Sequence, residues 1–205
     1  MAPSRSDFSE QKKKAIVSAA RDVFHNQGFQ ASSVDAIAAS AGVSKRTIYK
    51  HFPSKENLFI ASVCQSYTDL RGDYHITFDP EQSAEAQLSQ IAVDEMHFML
   101  SPQSLAYTRS LVAELVHAPS LGENFEAQQS CLCSELSDWM EQADTHGLLC
   151  IPNITIATTQ FIALIKGSSM WPALLQNKRF SEAELQTLAE HHATLFVRSY
   201  APQED

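Results

Sequence analysis

From position 45 to 51 the chain reads Lys45, Arg46, Thr47, Ile48, Tyr49, Lys50 and His51, so six side chains that can donate hydrogen bonds surround one aliphatic residue. No acid stands among them. Such a face suits a polyanion, and above all the major groove of DNA. There Arg or Lys can bond guanine O6 and N7, while Tyr, His and Ser bond phosphate oxygens. Enzymatic chemistry has no visible carrier: the chain holds no Ser-His-Asp set, GxSxG, Walker or Rossmann run.

The elements that must position these donors are legible on either side. Ser33 is placed to cap a short helix in which Val34, Ile37, Ala38 and Ala41 recur at helical spacing, and Gly42 ends it. Ser44 caps the next helix almost at once. Ala38, Ala39 and Ala41 are small enough for a close helix crossing, Gly42 permits the tight turn, and Val43 and Ile48 plug the angle. That is the grammar of a helix-turn-helix, and it leaves the second helix protruding. A preceding helix over Ser9 to Gln27 aligns Ile16, Ala19, Ala20, Val23 and Phe24, and Gly28 closes it. After Pro53, Ser54 caps a fourth helix, SKENLFIASV. We therefore expect an N-terminal three-helix domain over residues 9–60.

Composition sets the wider frame. The chain has 205 residues, 44% hydrophobic and 19% charged, as a folded globular protein should. Its net charge of -9 is unevenly spread. Residues 1–60 carry nine Lys or Arg against five acids, or +4, and the remainder carries six against nineteen, or -13. A basic end on an acidic body fits one surface that meets a polyanion and another that avoids it. Besides Met1, the first 14 residues hold one sizeable apolar side chain, Phe8, so the continuous apolar core of a secretory signal is not expected there. The uncharged stretch from Thr145 to Ile165 contains Pro152, Asn153 and several Thr, too polar for a membrane span. We expect a cytoplasmic protein with no membrane partner.

Scarce Gly and abundant Ala, Leu, Glu and Gln favour helix throughout, so the fold class expected is all-α. Gly72 to Pro80 reads as a linker, followed by helices near 81–100, 103–118, 121–145, 153–175 and 181–200. These form a second, helical domain over 61–205.

The segment SSVDAIAASAGVSKRTIYKHFPSKENLF closely resembles the signature of the TetR family of ligand-responsive transcriptional regulators. The run from Gly42 to Glu56 is its most specific part, and the likeness is strong over about residues 10–63. The resemblance implies a double-stranded DNA operator as partner. It also implies that Ser33 and Ser44 cap helices whose N-termini face phosphate, that Tyr49, His51 and Lys55 bind the backbone, and that Lys45, Arg46, Thr47 and Lys50 read bases. Arg46 stands where many members carry Gly, which adds a long donor. The body is similar to the AefR-like branch through RSLVAELVHAPSLGENF, Arg109 to Phe125, and FIALIKG, Phe161 to Gly167. The resemblance makes 61–205 an effector-binding and dimerisation domain and implies a homodimer through the last two long helices, most often a repressor released by a small molecule. The last helix aligns Leu185, Leu188, Ala189, Leu195 and Phe196, a stripe that serves equally as core or as dimer seam.

Within the acidic body, Met96, Met99, Tyr107, Trp139, Met140, Met170 and Trp171 are either ordinary core or the lining of a ligand cavity. Flexible Met with Trp and Tyr suits an apolar, aromatic effector, and the charge of -13 favours a neutral or cationic one. No cofactor and no metal is expected. Cys131 and Cys133 would point roughly 200° apart on a helix and have no second pair. His192 lies on the apolar stripe, as a packed histidine would. The alternative is a thiol-redox or metal-responsive sensor using Cys131, Cys133 or Cys150.

Overall fold

The computed structural model describes residues 5–72, 74–117 and 134–202, and among them it is helical with no strand. The helices are α1 Arg5–Gln27, α2 Val34–Ala41, α3 Lys45–His51, α4 Lys55–Arg71, α5 Ala84–Leu100 and α6 Pro102–His117. A helical stretch over 134–145 (α7) follows, then α8 Ile154–Ile165, a π-helical turn Lys166–Met170, α9 Trp171–Gln176 and α10 Glu182–Ser199. Most helix starts carry the local signal that stops the chain from fraying there. Ser33, Ser44, Ser54 and Ser83 each accept a backbone N–H of their own first turn. Ser181 does so within a full capping box, in which the Glu184 side chain bonds back to the Ser181 N–H. Residues 74–79, within the expected linker, have no regular secondary structure.

Two compact units divide the chain. The first comprises the described residues 5–72 and 109–117. Its core joins Ile16, Ala20 and Phe24 of α1 to Ile37 of α2, Ile48 of α3 and Leu58, Phe59 and Ile60 of α4. Phe24, Phe29 and Phe59 pack ring against ring, with centroids 5.0–5.7 Å apart. The second comprises described residues 74–108 and 134–202. There α5 and α10 run against each other, and Leu88, Ala92 and Met96 meet Leu136, Trp139, Phe161, Ala189 and Phe196 in one core.

Two sequence expectations change in this unit. The helix expected over 153–175 is interrupted by the π turn, because Pro172 lacks an N–H and its ring collides with the carbonyl four residues back. Within the π turn Ser168 and Ser169 donate their hydroxyls to the carbonyls of Leu164 and Ile165. Trp171, expected inside the body, is 40% exposed. The short α9 buries Ala173 and Leu174, so Trp171 and Leu175, one turn apart, share the outer face. Leu195, on the apolar stripe that left core and dimer seam open, is 53% exposed. The buried line runs through Leu185, Ala189, His192, Ala193 and Phe196, which leaves Leu188 half-buried and Leu195 outside.

Candidate nucleic-acid interface

Ile48 explains how α3 is presented. At 1% exposure it is the one residue of the helix sunk in the core, and it turns Lys45, Arg46, Tyr49 and Lys50 to solvent. Tyr49, at 44% exposure, is a large aromatic side chain with no cover. Arg46 and Lys50 make no side-chain hydrogen bond or ion pair among the described residues, so both heads are available to a ligand. His51 and Thr47 are half-buried. Thr47 is drawn back into the cap: its N–H donates to Ser44 Oγ at 3.1 Å and its hydroxyl pairs with the same oxygen at 2.8 Å. Ser33 Oγ likewise accepts the Ala36 N–H at 3.1 Å.

The turn that sets α3 across α2 is built on Gly42, whose φ of 64° lies in the left-handed region. This geometry lets the Val43 N–H reach the Ala38 carbonyl at 3.0 Å, which closes the end of α2 before Ser44 begins the next helix. At the start of α4, Lys55 Nζ lies 4.4 Å from the centroid of the Phe29 ring.

One acid belongs to this surface although it is absent from α3. Lys45 Nζ donates to Asp35 Oδ2 of α2 at 2.9 Å. The carboxylate raises the Lys45 pKa above its ordinary value, first by accepting the hydrogen bond and then by its charge. Sequence reasoning missed both Asp35 and Phe29 as parts of the site. The signal for Asp35 was present, since it is the single acid between Ser33 and Lys55.

In the second unit Met96, Trp139, Met140 and Met170 are buried, and Met99 and Tyr107 are half-buried. Trp139 donates its indole N–H to Gln87 Oε1 at 3.1 Å, and Gln87 in turn donates to the Asp79 carbonyl at 2.8 Å. Gln87 and Glu95, both buried on α5, are polar residues of this interior that hydrophobic patterning did not flag. His192 is packed as expected, with Nε2 at 2.7 Å from Ser168 Oγ. Cys64 is half-buried and Cys150 exposed, while Cys131 and Cys133 lie outside the described residues. Among the described residues no three His, Cys, Asp or Glu are grouped to hold a metal ion, and no helix is long and apolar enough to cross a membrane.

Comparison with known proteins places these features. The sequence pattern of bacterial regulatory proteins of the tetR family matches residues 16–62, and that of the AefR-like transcriptional repressor C-terminal domain matches residues 86–202. HTH-type transcriptional regulator RutR of Escherichia coli (strain K12) is 49% identical over 61 residues, 30% of this chain and 29% of that protein, so the match spans less than a third of RutR. A TetR family regulator from Pseudomonas syringae pv. tomato is 32% identical, with a TM-score of 0.64 over 93% of this chain and 97% of that one. The flavonoid-responsive regulator FrrA is 26% identical, with a TM-score of 0.74 over 95% of this chain and all of that one. A helix-turn-helix with an exposed basic second helix, followed by a helical body that matches over more than half the chain, makes this protein a member of the TetR family of DNA-binding transcriptional regulators, which are not enzymes, with an AefR-like C-terminal domain.

Proposed function

We propose that the protein is a cytoplasmic homodimeric repressor that binds a double-stranded operator through residues 9–60 and is released when a small apolar molecule occupies the body, residues 61–205. The observation that carries the DNA-binding half is α3 itself: one buried anchor, Ile48, and a solvent face of Lys45, Arg46, Tyr49 and Lys50. Arg46 and Lys50 are assigned to base edges. Tyr49, His51 and Lys55 are assigned to phosphates, and Ser33, Ser44 and Thr47 to the helix starts that face them. Because Lys45 is already paired with Asp35, its part in base reading is the weakest of the group.

The dimer reading is supported by the outer side of α8, the π turn and α10. Ile156 and Leu195 are exposed there, and a groove is lined by Leu164, Gly167, His192, Leu195 and Tyr200. A second copy would cover it. For the effector, the candidate residues are the buried Met96, Trp139, Met140 and Met170 with half-buried Met99 and Tyr107, of which Met96, Trp139 and Met140 pack in the core; Trp171, on the outer face, is the least suited of the set. FrrA is flavonoid-responsive by name, so neutral polyphenols are the first compounds to test. Release would be a population shift: an effector that favours a dimer with recognition helices too far apart for successive major grooves, ~34 to 36 Å, lowers operator affinity.

Selection of bound fragments from a genomic DNA pool tests the reading. Enrichment of a two-fold symmetric site, bound by a sedimenting dimer and released by an apolar aromatic compound, is the expected result. A monomer, or binding without sequence enrichment, would overturn it.

A further inference from the structure

The pairing of Asp35 with Lys45 crosses ten residues of sequence and joins the second residue of α2 to the first of α3. Its location makes it unusual for an ion pair. Asp35 is the single acid between Ser33 and Lys55, and the fold places it beside the most basic face of the chain. The pair is open to solvent, with the side chains 49% and 70% exposed for Lys45 and Asp35, so it adds little to stability. Nor is it needed to start either helix, since Ser33 and Ser44 already cap them. A contact that contributes little to the fold, yet neutralises one cation of the binding face, is better understood by its effect on the ligand.

We infer that Asp35 is a specificity-determining residue: it holds the Lys45 ammonium against α2 and off the phosphate backbone, and so lowers the sequence-independent share of DNA affinity. The inference rests on α3 being the DNA-reading helix. The physical argument is ionic. Each cation that neutralises a phosphate releases condensed counterions and adds about one unit to the magnitude of the salt slope, whatever the sequence. A carboxylate beside Lys45 supplies intramolecularly what phosphate would supply, and its own charge repels the backbone. Arg46 and Lys50, which have no such partner among the described residues, are left to act at the base edges. A phosphate contact made equally on every sequence would cancel from the affinity ratio; Asp35 raises that ratio because an operator complex held by Arg46 and Lys50 at the bases leaves Lys45 on its carboxylate, whereas a non-specific complex would otherwise recruit Lys45 to phosphate. Asp35 acts through Lys45 and is therefore a positioning residue.

The test is a salt-dependent anisotropy titration of the full chain on two probes, poly(dI-dC) and a duplex selected by the wild-type protein, over roughly 50 to 200 mM salt. Asp35→Asn should tighten poly(dI-dC) binding several-fold, steepen its slope by about one unit, and reduce the affinity ratio between the two probes. Lys45→Ala should leave the slope nearly unchanged in the wild-type background and lower it by about one unit in the Asp35→Asn background. Asp35→Ser serves as the second variant if the amide perturbs the start of α2, with circular dichroism as the control for folding. An unchanged slope in both Asp35 variants, or an equal loss on Lys45→Ala in both backgrounds, overturns the inference. The underlying reading fails separately: if Arg46→Ala leaves binding to both probes unchanged, α3 is not the reading helix.

Discussion

The Lys55 ammonium stands 4.4 Å above the centroid of the buried Phe29 ring, at the start of α4. Phe29 is itself fixed between Phe24 and Phe59, so the aromatic core of the first unit orients a cation at its surface. In the proposed reading this lysine binds phosphate and carries no sequence information. Lys55→Ala should weaken binding to all DNA sequences alike and lower the magnitude of the salt slope by about one. Phe29→Leu, which keeps the core apolar, should give a smaller loss in the same direction. Anisotropy titrations on operator and non-operator duplexes check both, and a sequence-selective loss would assign Lys55 to base reading.

Leu195 and Phe196 are neighbours on α10 with opposite surroundings, the first exposed and the second buried against Phe161. The same substitution should therefore have two outcomes. Leu195→Glu should give a folded monomer that has lost operator affinity, because the charge would fall only on the proposed dimer seam. Phe196→Glu would place an unpaired carboxylate in the core and should unfold the chain. Sedimentation with thermal melts separates the two, and a folded dimeric Leu195→Glu variant would move the seam elsewhere.

Gly42 has a φ of 64°, and a methyl group added there would meet nothing within 4 Å. The cost of Gly42→Ala is thus backbone strain alone, about 1 to 2 kcal/mol. Gly42→Asn should cost less, since Asn tolerates the left-handed region. Urea denaturation gives the stability loss, and a loss above ~3 kcal/mol would point to a steric role that the open surroundings do not provide.

Burial, and secondarily the charge of His191, lowers the His192 pKa below its ordinary 6.5. The folded chain therefore keeps the imidazole neutral where the unfolded chain takes up a proton. Stability should be full above pH 6.5 and should decline as pH falls below it. His192→Gln, which can still bond Ser168, should flatten that part of the profile. Melting temperatures measured across the window check the sign; a rise in stability toward lower pH would contradict it.

The sequence by itself determined the helical class, the starts and ends of most helices, the helix-turn-helix and the family. Those features rest on short-range physics. Ser33, Ser44 and Ser54 satisfy N–H groups three residues away, Gly42 adopts its turn locally, and the spacing of Ile16, Ala20 and Phe24 declares an inner face without reference to the rest of the chain. Tertiary structure decided what depends on neighbours distant in sequence. Whether Leu195 or Phe196 faces the core was undetermined by the periodicity of α10, since both fit an apolar stripe until α5 and α8 pack against one side of it. Trp171 turned outward because Pro172 forced a π turn whose register no hydrophobic pattern encodes. Asp35 met Lys45 only through the crossing of two helices, where a carboxylate and an ammonium ten residues apart came within 2.9 Å.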